Sequence, residues 1–239
     1  THSLSSDYTK FKNLGLVIID EQHKFGVDVR DRLIDKSLTK DVIYLSATPI
    51  PRSLSLTFFG DLEVSSIKSK PQNRKEVKTL VIKDELSFLI QELNRVSKLN
   101  QQSFIVVPSI LENENVHSIE SVYKKLYPYI NEKHFYIVHG KLNDEEIELI
   151  MERFLNDEKG ILLSTTIIEV GIDIKNATQI FILGANNFGL SSLHQLRGRV
   201  GRGNLEGVCY LVSDKDDNER LEFLKNNNDG FKLAEYDLK

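Results

Sequence analysis

Short, nearly continuous apolar runs recur along the chain, and longer stretches with helical periodicity separate them. Strands that are buried on both faces have this uninterrupted character, because every side chain meets a covering layer. The predicted strands are Leu14–Ile19, Val42–Leu45, Phe104–Val107, Phe135–Val138, Ile161–Leu163, Ile180–Leu183 and Val208–Val212.

Two of the intervening stretches are predicted helices. From Asp84 to Leu99 apolar residues recur at helical spacing, with Asp84 as the expected N-cap. The same spacing runs from Asn143 to Leu155, where Asn143 and Glu146 have the pattern of a capping box. Strands alternating with helices predict an α/β fold of parallel sheets flanked by helices.

A polar, basic stretch with one proline, Ile67–Lys78, predicts a linker. The chain is therefore divided into residues 1–67, a partial first lobe, a linker at residues 68–78, and residues 79–239, a complete second lobe of at least five strands. The sequence opens at Thr1 rather than at Met and closes at Lys239 within a polar/apolar pattern. We therefore expect a piece of a longer protein.

Composition narrows the class of protein. Of the 239 residues, 40% are hydrophobic and 28% are charged, which is ordinary for a globular protein, and no apolar run approaches the ~18 residues of a membrane span. Cys209 is the one cysteine, which excludes an internal disulfide and predicts a buried strand residue in a protein of the reducing cytoplasm. The net charge of −4 argues neither for nor against nucleic-acid binding, since a basic groove can be local.

Two adjacent acids, Asp20 and Glu21, follow the first predicted strand. In doubly wound sheets ligands bind beyond the carboxyl ends of the strands. An aspartate there can hold Mg²⁺, and a neighbouring glutamate can orient or deprotonate the water that attacks a γ-phosphate. Taken alone, such a pair is more typical of a solvated turn.

Hydroxyl side chains follow two other predicted strands. Ser46 and Thr48 lie after the second strand, where they are either a helix cap before Pro49 or a link to the acids on the neighbouring strand. Thr165 and Thr166 lie after the strand that ends at Leu163. Their hydroxyls are either phosphate ligands or part of a turn.

Three arginines within six residues give the strongest chemical signal, in the segment His-Gln-Leu-Arg-Gly-Arg-Val-Gly-Arg-Gly at residues 194–203. On a helix, Arg199 and Arg202 would share a face and suit bidentate recognition of a phosphate chain. Acids on one lobe and arginines on the other predict an ATP site in the cleft between them, whose hydrolysis would open the cleft. If loops on the two lobes bound a nucleic-acid backbone in alternation, the protein would be a translocase.

In order and spacing, residues 20–23, 46–48, 165–173 and 195–202 resemble motifs II, III, V and VI of superfamily-two helicases. Within that superfamily, the segments at residues 11–26, 47–54, 59–65 and 228–238 resemble the bacterial branch-migration helicases. The resemblance implies RecA-like lobes, with a partial first helicase lobe followed by a complete second one.

The resemblance also implies roles for individual residues. Asp20 and Glu21 would serve Mg²⁺ and the attacking water, and Gln195, Arg199 and Arg202 would contact the phosphates. Gly171 and Asp173 would border the nucleotide. The residues implied in coupling hydrolysis to movement are Gln22, His23, Ser46, Ala47 and Thr48. Those implied at DNA are Thr1, His2, Ser109, His139, Gly140, Thr165 and Thr166. The implied ligands are ATP, Mg²⁺ and branched DNA such as forks and Holliday junctions, in a cytoplasmic monomer without membrane contact that serves repair and recombination.

Departures from the family pattern qualify these expectations. The sequence contains no G-x-x-x-x-G-K-[ST] phosphate loop, no wedge domain for branched DNA, and no C-terminal segment linked to translocation. We therefore expect the chain by itself to lack meaningful ATPase or unwinding activity.

Two alternatives stay open. The transcription-repair coupling translocases share the segments at residues 47–52 and 195–202, but Gln22 and the segment at residues 59–62 favour the branch-migration group. A non-catalytic module that binds DNA or protein is the other alternative. The presence of Asp20, Glu21, Arg199 and Arg202 argues against a non-catalytic module, since an inactive site would not need all four residues.

Overall fold

In a computed structural model of the protein, the structure describes residues 2–20, 26–39, 41–46, 63, 65, 67, 75–110, 117–166, 174–215 and 218–237. The chain divides into two compact units, Thr1–Pro49 and Ile50–Lys239. Most of the predicted linker at residues 68–78 lies outside the described residues, so the three-part division stays a prediction. Among the described residues, no helix has both the length and the apolar character that crossing a membrane requires.

Where the structure describes the first unit, it shows two parallel strands joined by one helix. A short 3-10 turn, His2–Ser5, precedes β1 (Val17–Asp20), α1 (Val27–Asp35) and β2 (Val42–Leu45). Strand β1 starts three residues later than predicted. The carbonyl of Leu14 instead accepts the backbone N–H of Leu38 at 3.0 Å, so this stretch bonds to the chain after α1 rather than to β2.

The second unit is built on a six-stranded sheet in which every neighbouring pair is parallel. Its strands are β3 (Lys78–Ile82), β4 (Gln102–Val106), β5 (Phe135–Val138), β6 (Ile161–Ser164), β7 (Ala177–Leu183) and β8 (Val208–Val212), in the order β3-β8-β7-β4-β6-β5. The predicted α/β fold class is confirmed. Strand β3 was missed because its apolar run directly follows the basic stretch, and as an edge strand it buries only Thr79 fully.

In the described part of the second unit, six helices cover the two faces of this sheet. They are α2 (Leu86–Lys98), α3 (Ile119–Leu126), α4 (Asp144–Leu155), α5 (Leu190–Arg197), α6 (Glu219–Asn226) and α7 (Gly230–Asp237). Successive strand residues point to opposite faces, so Phe104 packs with Phe154 of α4 and Leu193 of α5, whereas Ile105 packs with Leu93 of α2. All five side chains are at most 1% exposed, and a doubly covered sheet explains the continuous apolar runs.

The helix starts test the predicted caps. Asn143 caps α4 through a full capping box: its Oδ1 accepts the Glu146 N–H at 2.8 Å, and the Glu146 carboxylate accepts the Asn143 N–H at 2.9 Å. The prediction of Asp84 as a cap is wrong, because the N-cap of α2 is Glu85. The carboxylate of Asp84 is instead directed to His117.

Cys209 is fully buried in β8, as predicted. Burial raises the pKa of its thiol to about 12, because the apolar surroundings disfavour the thiolate. The side chain therefore acts as a small apolar core group.

Candidate functional site

The acidic segment begins at the carboxyl end of β1. Asp20 is the last residue of that strand, is exposed, and lies opposite Leu45 of β2. Ser46, which follows directly, is exposed at the same edge. The predicted proximity of the two segments is therefore seen for Asp20 and Ser46. Glu21, Gln22, His23, Ala47 and Thr48 lie outside the described residues.

The arginine segment begins where α5 ends. That helix stops at Arg197 and Gly198 is its C-cap, so Arg199 and Arg202 do not share a helix face. The prediction of a shared helical face is wrong, because the backbone turns at the cap. Arg202 instead reaches back, and its Nε donates to the Gly198 carbonyl at 3.0 Å. A cation is favourable there, since helix carboxyl ends carry partial negative charge.

Glycines fix the path of this arginine loop, residues 198–207. Gly201 has φ +66°, which side chains other than glycine rarely adopt, and its N–H donates to the Ala177 carbonyl at 3.1 Å. A Cβ on Gly203 would lie 2.6 Å from the Lys175 carbonyl oxygen. The loop therefore packs at the amino ends of β7 and β8.

Arg197, the third arginine of the segment, has a structural role. The residue is 4% exposed. Its guanidinium donates to the carbonyls of Leu224 at 2.8 Å and Asn227 at 3.0 Å, and it contacts His194 Nδ1 at 2.8 Å. Burial lowers the pKa of Arg197 from its ordinary value. The side chain thus binds the end of α5 to the end of α6.

The amino end of α5 is held by residues that the sequence analysis missed. Gly189, its N-cap, has no side chain, and Asp237 of α7 supplies the acceptor for the Leu190 N–H at 2.7 Å. Arg220 of α6 contacts the other Asp237 oxygen at 3.1 Å. No sequence signal predicts this cap, because Asp237 is 47 residues from Leu190. Together with Arg197, these residues fix α5, which also carries the half-buried Gln195.

The residues expected at DNA lie at the carboxyl ends of the strands, which we call the carboxyl edge of the sheet. The arginine loop lies at the opposite, amino ends. Ser109, His139 and Thr165 follow the carboxyl ends of β4, β5 and β6, which are neighbouring strands in the order β4-β6-β5. Gly140 and Thr166 are exposed beside them. The structure thus brings together five of the seven predicted residues. Thr1 lies outside the described residues, and His2 belongs to the first unit.

Two buried polar atoms lie at this carboxyl edge. The Oγ of Ser164, at the end of β6, and Nδ1 of His139 have no hydrogen-bond partner within the described part of the chain. Ser164 is opposite Val138, the residue before His139. Unsatisfied buried polar atoms are uncommon, and here they indicate a place where water or a ligand completes the hydrogen bonding.

The sheet thus separates two chemical groups. The hydroxyl and imidazole side chains follow its carboxyl ends, and the arginine loop contacts its amino ends. Gly171 and Asp173 lie outside the described residues, but Ile174, the next described residue, is buried immediately before β7. Phosphate-binding and backbone-binding residues are therefore predicted at opposite ends of the same strands.

Comparison with known proteins gives consistent matches. Residues 84–204, just over half of the chain, match the helicase conserved C-terminal domain. The chain is 44% identical over 252 residues to the ATP-dependent DNA helicase RecG of Thermotoga maritima, covering 100% of this chain and 32% of that protein. It is 41% identical over 245 residues to RecG of Bacillus subtilis, covering 100% of this chain and 36% of the relative. It spans about a third of the length of these relatives.

Solved structures give the same result. A structure of RecG bound to a three-way DNA junction has a TM-score of 0.77 and 42% identity, and the match covers 100% of this chain and 32% of that one. Dbp5 of S. cerevisiae, bound to RNA and ADP BeF3, has a TM-score of 0.63 at 16% identity, covering 96% of this chain and 65% of that one. The second likeness is one of fold alone.

Proposed function

We propose a motor function for this chain, which belongs to the family of helicase conserved C-terminal domains. The chain would be part of the engine of a RecG-like ATP-dependent DNA helicase. Matches to RecG helicases over its whole length support this proposal. So does the placement of its two sets of candidate residues at opposite edges of one sheet.

On the nucleotide side, Asp20 and Glu21 would hold Mg²⁺, which neutralises phosphate charge when it is bound. The structure fits this for Asp20, whose carboxylate is exposed at a strand end and is a ligand type that Mg²⁺ prefers. Arg199 and Arg202 would contact the phosphates of ATP, with Gln195 beside them. Gly171 and Asp173 would border the nucleotide.

On the nucleic-acid side, the loops after β4, β5 and β6 would contact the DNA backbone. Ser109, Thr165 and Thr166 offer hydroxyl groups, and His139 offers an imidazole next to the exposed Gly140. Such donors suit phosphate oxygens, which carry no base sequence. Thr1 and His2 would add a contact from the first unit.

The observation that carries the proposal is the hydrogen-bonded connection between these two edges. Ala177, the first residue of β7, accepts the Gly201 N–H through its carbonyl. Strand β7 pairs with β4, and the chain continues from the carboxyl end of β4 to Ser109. Close-packed protein interiors have low compressibility and transmit strain. We propose that a displacement of the arginine loop moves the DNA-contacting loops with it, and that Gln22, His23, Ser46, Ala47 and Thr48 contribute to this coupling from the first unit.

The substrate would be branched DNA, including stalled forks and Holliday junctions. A similar structure contains RecG with a three-way DNA junction. We propose a cytoplasmic monomer that serves DNA repair and recombination. The RecG relatives favour this over a translocase that acts on RNA polymerase.

An arginine exchange in the complete helicase tests the proposal. Removing an arginine finger lowers the rate of phosphoryl transfer by roughly 10³-fold or more. We therefore expect Arg202→Ala to abolish DNA-stimulated ATP turnover while DNA binding is retained, and Arg202→Lys to restore little of it. Arg153→Ala, which removes an exposed arginine of α4, is the matched control and should behave like the unaltered protein.

An unchanged ATPase rate in Arg202→Ala would favour the non-catalytic alternative.

A Thr165→Ala, Thr166→Ala double variant addresses the other edge. It should weaken DNA binding and DNA stimulation while the basal ATPase rate without DNA stays intact. Equal loss of basal and stimulated rates would contradict the assignment of this edge to DNA.

A further inference from the structure

Three side chains with metal-binding atoms converge at the carboxyl edge of the six-stranded sheet. Asp84 follows β3, Asp214 follows β8, and His117 lies just before α3. One ligand atom from each side chain lies within 4.8 Å of the other two. Only the fold brings these residues together, because they are far apart in sequence.

The distance between two of the ligands suits a shared ion better than a direct hydrogen bond. Nε2 of His117 and Oδ2 of Asp84 are 3.5 Å apart, beyond the roughly 2.7–3.2 Å of an ordinary N–H···O bond. Two ligands at about 2.0–2.1 Å from one tetrahedral Zn²⁺ are about 3.4 Å from each other. The observed separation is therefore close to that of a coordination sphere.

The surrounding structure holds the ligands in place. The backbone N–H of Asp84 donates to Oδ1 of Asp214 at 3.2 Å, which ties the ends of β3 and β8 together. Gly184 at the end of β7 has φ +63°, and a Cβ there would lie 3.3 Å from the imidazole Cδ2 of His117. The side chains of His117 and Asp84 are 19% and 26% exposed. The site is thus open to solvent, and the absence of a side chain at Gly184 leaves room for the imidazole of His117.

Charge also favours a cation at this place. One carboxylate oxygen of Asp84 and one of Asp214 lie within 4.8 Å of each other, so two negative charges flank the same place. A divalent ion would compensate both. One imidazole with two carboxylates is a donor set for Zn²⁺ or Mn²⁺, whereas Ca²⁺ takes six to eight oxygens.

We propose that Asp84, His117 and Asp214 form a site for a divalent transition-metal ion such as Zn²⁺, with water completing the coordination. The site is independent of the nucleotide-linked Mg²⁺ proposed at Asp20, because it shares no ligand with it. It also lies at the sheet edge opposite the arginine loop. The ion would fasten the ends of β3 and β8 to the start of α3.

Calorimetric titration of the metal-free chain with ZnCl₂ tests the proposal. We expect one saturable site and a Zn²⁺-dependent rise in the melting temperature, since binding to the folded state stabilises it. Asp84→Asn, Asp214→Asn and His117→Gln should each weaken binding at least about tenfold, because even residues that only support a ligand matter to that extent. Asparagine at position 214 keeps an oxygen for the Asp84 N–H, so the fold should persist, which circular dichroism would verify.

Matched controls distinguish this site from other surface donors. His134→Gln removes a histidine that also contacts a carboxylate, Asp157, at 2.8 Å, and Glu222→Gln removes a carboxylate that pairs with Lys225 at 2.9 Å. Both should bind Zn²⁺ normally, as should Asp20→Asn. Normal affinity in Asp84→Asn and His117→Gln, or the absence of saturable binding to the unaltered chain, would overturn the proposal. Neither outcome depends on the proposed motor function.

Discussion

The carboxylate of Asp237 accepts the backbone N–H of Leu190 at 2.7 Å and so caps α5 from 47 residues further along the chain. The free N–H groups at a helix start need acceptors, and negative charge is favourable there. Because Arg197 holds the other end of the same helix, α6 and α7 determine where α5 lies. The arginine loop starts at the end of that helix, so its position depends on the segment that follows β8.

Replacing this remote cap should destabilise the second unit. Asp237→Ala removes the acceptor for Leu190 and the contact to Arg220, and a lost N-cap costs about 0.5–2 kcal/mol. Denaturation in urea would measure the free energy of unfolding. Asp237→Asn keeps an acceptor and should cost less, and Glu235→Ala on the exposed side of α7 is the control. Equal losses for Asp237→Ala and Glu235→Ala would contradict the capping role.

Gly201→Ala should distort the arginine loop. A left-handed backbone costs roughly 1–2 kcal/mol for a residue with a Cβ, and the Cβ would lie 3.0 Å from the Gly207 nitrogen. We expect a lower melting temperature and, in the complete helicase, a lower ATPase rate. Gly140→Ala, where a Cβ meets nothing within 4 Å, should leave the melting temperature nearly unchanged. Equal melting temperatures for the two variants would show that the arginine loop does not require a glycine in the left-handed conformation at position 201.

Arg197→Met should destabilise the contact between α5 and α6. It leaves the buried carbonyl of Leu224 and the half-buried carbonyl of Asn227 without their donor, and the loss at a buried acceptor costs about 1–3 kcal/mol. Arg197→Lys should rescue only in part, because one ammonium cannot reproduce the planar fork. Urea denaturation with Arg153→Met as the exposed control would measure this. Full rescue by lysine would show that charge alone matters.

Cys209 should be unreactive in the folded protein. Burial raises the pKa of its thiol from 9.0 to about 12, so the neutral form is favoured on folding. The contribution of the neutral Cys209 thiol to folding stability is therefore fully present below the pKa of the unfolded chain, near 9. It is lost as the pH rises toward the folded pKa of about 12. At pH 8–9 a thiol reagent should label the chain in denaturant and only very slowly without it. Fast labelling of the folded chain would show that the thiol is accessible.

Much of the fold could be predicted because the responsible interactions are local. The capping box of Asn143 and Glu146 joins residues three apart, and the strand Val208–Val212 was predicted with its observed ends. The predicted helix start at Asp84 failed for the opposite reason. Its carboxylate is directed to His117, a residue that the sequence pattern could not place nearby.

The candidate site was predictable in chemistry but not in arrangement. The types and order of the residues identified Asp20, Arg199 and Arg202, which remain predictions in their roles. The sequence analysis gave Arg197 no role, and only its burial under α6 shows that this arginine is structural.

By itself, the sequence determined the alternation of strands and helices and the residue types available for chemistry, because side-chain periodicity and neighbouring polar groups specify both. Only the tertiary structure decided that the arginine loop and the hydroxyl-bearing loops lie at opposite edges of one sheet, and that Asp237 caps α5. Those relationships depend on which strands pair and which helix ends meet. Contacts between distant residues fix them, and no local pattern encodes such contacts.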